Sequence, residues 1–209
     1  ARQALQLDDG TRVLLDADSA IAVRYDDRRR EVTLERGRAR FAVARDARAR
    51  PFAVRAGPSL IRDIGTTFLV SRDPAGVSVG LLEGALAVSG GGADAGRVLA
   101  PRQQVSVDAD GRLGAVEPLA AGADGWTRGE LYFDRRRLDA LLEDMNRYSP
   151  TKLRLGDPAL AGLEISGSFH AGDQASLMQA LERGWSLRAR ATGPHEWTLY
   201  PSGGRPTKR

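Results

Sequence analysis

Cysteine is missing from all 209 positions, which excludes disulfides, thiolate zinc sites and a cysteine nucleophile together. Histidine occurs only at His170 and His195. That pair lacks the i, i+4 spacing that sets two imidazoles on one helix face, so a metal site would need distant carboxylates and none is expected. Aromatic residues are scarce at 6%. No apolar run approaches the roughly 20 residues a membrane helix needs; the longest are short pieces such as Val13-Leu14-Leu15. An initiator methionine and a signal-peptide pattern are also lacking at Ala1, so a processed or trimmed piece is expected.

What is present is ordinary for a globular chain: 42% hydrophobic and 28% charged residues, with room for one large domain or two small ones. Lys and Arg number 31 against 27 acids. The excess is spread evenly, 18 against 16 over residues 1–118 and 13 against 11 over residues 119–209. A nucleic-acid binder concentrates its cations on one face and interleaves stacking aromatics. Neither is seen, so no nucleic-acid partner is expected.

Residues 1–117 alternate short apolar-polar runs with turn signals. Val13-Leu14-Leu15 follows Asp9-Gly10, and residues 20–25 alternate before Asp26-Asp27. Val32-Thr33-Leu34 leads to Gly37, and Phe41-Ala42-Val43 follows. Later runs begin after Pro51, Pro58, Gly65, Gly76 and Gly84. Runs of this length and spacing predict an all-β unit. Glu35-Arg36-Gly37 and Glu83-Gly84 echo each other as strand-ending corners, which favours a β-solenoid-like or stacked arrangement. Gly65 reads as a strained corner with Phe68 in the core. The glycine-rich stretch 89–96 reads as an exposed loop without the Lys-Ser/Thr of a phosphate-binding loop.

Residues 118–125 read as a linker, and from Trp126 the grammar changes. A strand at 130–133 precedes Leu138, Leu141, Leu142 and Met145, which share one helix face; Ser149-Pro150 stops that helix. Strands follow at 153–155 and 163–169. Asp173 is a good N-cap for a second helix carrying Leu177 and Leu181, with Gly184 as its stop. A hairpin over 185–191 and 197–200 closes a small α+β unit at 126–200, in the order β-α-β-β-α-β-β. The tail 201–209 is expected to be disordered. The fold class is therefore mainly β plus α+β. No acid–base pair or nucleophile cluster emerges, so the chain is not expected to be an enzyme, to use a cofactor or to hold a metal.

Several blocks together resemble the periplasmic part of the FecR family of transmembrane anti-sigma regulators. They are LDDGTRVLLDADSAIAVRY (7–25), REVTLERGRARFAVARDARARPFAVRAG (30–57), IRDIGTTFLV (61–70) and VSVGLLEGALAV (77–88). WTRGELYF (126–133) is similar to the family's inter-domain junction, and residues 138–149 and 163–169 resemble the short N-terminal (STN) domain of secretins and TonB-dependent transporters. The resemblance implies a FecR domain and an STN-type domain in the periplasm, with a membrane anchor and a cytoplasmic sigma-factor-binding segment preceding them. It also implies docking to the N-terminal signalling domain of a ligand-loaded TonB-dependent transporter, in iron-uptake-type signalling. Where the family tends to have an Asn/Ser-Thr-Pro-like helix entry, Arg135-Arg136-Arg137 stands here.

Two sets of residues are candidates for that docking. Arg135, Arg136 and Arg137 form a cationic run at an expected helix start, where the dipole disfavours positive charge and an acidic partner would be steered in. Lys152, Leu153, Arg154 and Leu155, with Trp197 and Leu199 in the segment 196–200, are expected on open sheet edges to which a partner strand can add. The competing reading is a glycan- or envelope-polymer-binding module. It requires an exposed aromatic platform built from Trp126, Trp185 and Trp197.

Overall fold

The computed structural model describes residues 2–63, 65–91 and 96–202, and the chain divides into two compact units, Ala1–Thr127 and Arg128–Arg209. Half of the expected glycine-rich loop (92–95) and most of the expected tail (203–209) lie outside the described residues.

The first unit holds β1 (Gln3–Gln6), β2 (Arg12–Leu15), β3 (Ala20–Tyr25), β4 (Arg30–Ala42), β5 (Phe52–Ala56), β6 (Ser59–Asp63), β7 (Thr67–Asp73), β8 (Gly76–Glu83), β9 (Leu86–Ser89), β10 (Arg97–Leu99), β11 (Gln103–Asp108) and β12 (Glu117–Pro118). All join one 12-stranded sheet. Among the described strands of this unit, only β4 and β5 pair in parallel. A solenoid stacks its rungs in parallel register, so the stacked-coil expectation is corrected: the unit is an antiparallel sheet folded over itself.

β4 is the fold line. Its first part pairs with β3 and β5, and its second part with β2 and β7. Burial falls on Arg30, Val32 and Leu34, then on Gly37, Ala39 and Phe41. The period of two therefore slips by one residue at Glu35-Arg36. The pairing with β3 jumps there from Ile21↔Leu34 to Ala20↔Arg36. This bulge inverts the alternation, so both parts of one strand aim their apolar side chains into the same core. Gly37 was expected to end a strand; instead it bends one. Its φ is +83°, and a Cβ there would lie 2.2 Å from Ser19 Oγ. Gly37→Ala is expected to lower stability by about 1–3 kcal/mol. Thermal unfolding should place that loss above Gly65→Ala, where φ is +85° but nothing lies within 4 Å of the added carbon.

The core unites both leaves of the sheet: Val32, Leu34, Phe52, Val54 and Ile61 from one, Val13, Phe41, Phe68, Val79 and Leu81 from the other. One buried charge pair sits beside it. Arg30 Nη1 lies 2.6 Å from Asp9 Oδ2, and the same guanidinium donates to the carbonyls of Ala44 and Arg50. Thr11 and Tyr25 hydroxyls donate to Asp9.

The expected linker is only partly one. Glu117–Pro118 pairs with β11, and Leu119 packs over Gly80, 2.5 Å from where its Cβ would be. Trp126 is 3% exposed, lies under the Arg38 guanidinium at 5.5 Å and accepts a hydrogen bond from Arg2 at its carbonyl. Arg38 is itself held by the buried Asp16 carboxylate.

The second unit runs β13 (Glu130–Arg137), α1 (Leu138–Asn146), β14 (Lys152–Leu155), β15 (Glu164–His170), α2 (Gln174–Gly184), β16 (Leu187–Gly193) and β17 (Glu196–Pro201), the order the sequence predicts. α1 buries Leu138, Leu141, Leu142 and Met145. Asp173 caps α2 by accepting from the Ser176 amide. β13 and β15 pair as a two-stranded sheet, and the other three strands form a sheet in the order β14-β17-β16. β17 takes in the first residue of the expected tail, because Pro201 pairs with Leu187.

Candidate functional site

The three-stranded sheet of the second unit determines what a partner strand could reach. β17 lies between β14, its parallel neighbour, and β16, its antiparallel one. The expectation that 196–200 forms an open edge is therefore corrected, since both sides of that backbone are already paired. Leu153, Leu155, Trp197 and Leu199 occupy one face, with Leu153 and Leu199 buried. Lys152 and Arg154 occupy the other.

β14 is an edge strand, but its outer side is plugged. Asn146, the last residue of α1, accepts from the Leu153 amide and donates to the Leu153 carbonyl, both at 2.8 Å. Gln174 Nε2 donates to the Thr151 carbonyl and to Asn146 Oδ1. A side-chain amide thus imitates an adjacent strand, which is a way of blocking edge-to-edge pairing. No motif in the sequence announces this; an asparagine at a helix end reads simply as a helix-stop residue.

β16 is the other edge. Ser202 donates to the Ser186 carbonyl, so by antiparallel alternation Arg188 and Arg190 bond towards β17, while Leu187, Ala189 and Ala191 turn their backbone groups outward. The Ala189 amide is taken by Glu182. Ala191 is exposed, and among the described residues its amide has no partner. On the sheet face carrying Arg188 and Arg190, Lys152 and Arg154 add two more cations against one acid, Glu196, which pairs with Arg154. The Arg190 guanidinium lies 5.7 Å over the Tyr200 ring on that face.

The arginine run is placed differently from expectation. Arg135, Arg136 and Arg137 lie in β13, where the register slips between Phe133 and Arg136 and Arg135 takes φ +46°. Each has an acid: Glu164, Asp144 and Asp139 respectively. Asp139 sits in the first turn of α1, where a carboxylate suits the helix dipole. The run is therefore a set of paired surface charges screened by solvent, and not a bare cationic patch.

The tryptophans do not build a platform. Trp126 is buried, while Trp185 and Trp197 are half-buried, and Trp185 donates to the Glu164 carbonyl. The large hydrophobic side chains found exposed are Val23, Val98 and Tyr132. Among the described residues, no group of three or more His, Asp or Glu is placed to hold a metal, and no helix is long and apolar enough to cross a membrane.

Two crystal structures of a proposed anti-sigma factor from Parabacteroides distasonis share this fold. Each has a TM-score of 0.80 and 24% identity, with 96% of this chain and 95% or 94% of the other covered. Among curated proteins none matches significantly. Residues 1–87 match the family described as FecR protein, a stretch that runs from β1 into β9 and includes the bulged strand β4. The resemblance to the FecR family thus lies wholly within the first unit, Ala1–Thr127.

Proposed function

We propose that the chain is the periplasmic sensor part of a transmembrane sigma-factor regulator. It binds the N-terminal signalling domain of a ligand-loaded TonB-dependent outer-membrane transporter and relays the signal for iron-uptake-type transcription. Sigma-factor contact belongs to a cytoplasmic segment preceding a membrane anchor. The match of residues 1–87 to the FecR family is the observation that carries this reading. A small α+β unit that follows that stretch and leaves the outer side of β16 unpaired supports the second unit as the dock. β16 takes the place that β14 and β17 held in the sequence reading: its outward amide at Ala191 is free to pair, and Arg188 and Arg190 flank the path of an extended acidic segment. The paired arginines 135–137 contribute little. The glycan reading loses its required aromatic platform.

Ala191→Pro removes one outward amide while leaving the bonds to β17 in place, a change edge strands tolerate. It is expected to weaken the signalling domain's affinity by about tenfold or more, measured by titration calorimetry on the intact chain with circular dichroism as the folding control. Unchanged affinity in a folded variant would remove β16 from the interface. Saturable binding to none of the source cell's transporter signalling domains would sink the relay itself.

A further inference from the structure

The strongest unassigned feature lies in the first unit, on the sheet face opposite the core. Gln6, Arg12, Ala42, Thr67 and Glu83 align as one cross-strand row, each registered against the next. Two adjoining hollows of about 640 and 720 Å³ share these five residues, and Arg40 lines the second. At a strand spacing of about 4.8 Å the row spans roughly 19 Å, the length of about six extended residues. Ala42 at its centre leaves the hollow.

The groove places two arginines against one lining acid. Arg30, Arg38, Arg50 and Arg55 each have a carboxylate partner. Arg12 and Arg40 have none among the described residues, although they are diagonal neighbours on one face, since Arg12 is registered with Ala42 and Leu14 with Arg40. Like charges so placed repel and gain nothing from the fold. Arg40 is half-buried, which increases the penalty of leaving it without a counterion. A guanidinium pair is suited to carboxylates. The lining acid, Glu83, stands at the far end of the row and gives the groove a polarity.

We propose that this groove binds an extended acidic peptide segment of a partner protein, with its carboxylates on Arg12 and Arg40. The peptide is favoured over a glycan because no aromatic side chain lines either hollow. This contact is separate from the β16 dock, so either can fail without the other.

The test follows backbone amide NMR shifts of the intact chain during titration with hexaglutamate, hexaglutamine and a galacturonate hexamer. Saturable shifts centred on the amides of Arg12, Arg40, Ala42 and Thr67 are expected with hexaglutamate and not with hexaglutamine. The Arg12→Ala/Arg40→Ala double variant should weaken binding at least about tenfold, whereas Arg24→Ala/Arg28→Ala, with equal loss of charge, should change it less than about twofold. Equal weakening in both double variants means general charge attraction and overturns the site. Persistence of the shifts in Arg12→Ala/Arg40→Ala overturns it as well. Tighter binding of the galacturonate at the same amides overturns the peptide assignment. Unfolding midpoints of both variants, measured alongside, separate lost binding from lost fold.

Discussion

Arg30→Ala is expected to destabilise the first unit by about 3–5 kcal/mol, the range for removing one partner of a buried ion pair. The side chains are 5% and 1% exposed for Arg30 and Asp9, so neither water nor another cation replaces the lost guanidinium. The carbonyls of Ala44 and Arg50 lose their donors in the same step, which unfastens the connection between the parallel strands β4 and β5. Asp9→Asn/Arg30→Met should recover part of the loss, because an absent pair costs less than half a pair. Hydrogen exchange of the β4 amides gives the free energy for this unit alone.

The same network sets a pH dependence. Burial raises the Asp9 pKa, but hydrogen bonds from Thr11, Arg30 and Tyr25 outweigh it, and the net shift is down from 3.8. A depressed carboxylate contributes stability that is present above its ordinary pKa and lost as pH falls through the folded value. Tyr25 is pushed up from 10.0 by burial first and then by the Asp9 charge. A raised group contributes stability that is present below its ordinary pKa and lost as pH climbs past it. Protection of the β4 amides should therefore be broad through neutral pH and decline below about 4 and above about 10. In Arg30→Ala the acid-side decline should flatten, since protonating Asp9 no longer breaks an ion pair.

Phe41→Ala is expected to lose about 3–5 kcal/mol by opening a cavity where the two leaves meet. Phe41 is fully buried. Its ring stacks on Phe68 at 5.1 Å and lies 6.2 Å from Phe52, so it touches β7 in one leaf and β5 in the other. Phe41→Leu should lose less, and Val98→Ala, at a side chain 69% exposed, should stay within about 0.5 kcal/mol. Urea unfolding of the three variants measures the order.

Local signals were legible. The helix stripe from Leu138 to Met145, the Asp173 cap and the order of elements in the second unit all depend on neighbours a few residues apart. Gly65 and Phe68 also take their expected places as corner and core. Pairing was not legible, because register depends on partners distant in sequence. The phase slip within β4 was visible as Val32 and Leu34 followed by Ala39 and Phe41, yet it read as two strands separated by a corner. Only the slip in pairing with Ala20 and Ile21 of β3, which leaves Glu35 as the extra residue, makes it one bent strand. The edge position expected for 196–200 differs for the same reason: parallel pairing of β14 with β17 carries that strand to the centre of its sheet. The Asn146 plug and the acids beside Arg135, Arg136 and Arg137 likewise arise only when distant segments meet. The Arg12–Arg40 groove required four strand registers at once.

Amide hydrogen exchange of the intact chain, with and without a saturating transporter signalling domain as the proposed partner, is the most direct test. New protection is expected over residues 187–193, strongest at Ala191, with β14 little changed because its outer side is already occupied. Protection confined to 152–155, or no newly protected segment in the second unit, would contradict the β16 dock.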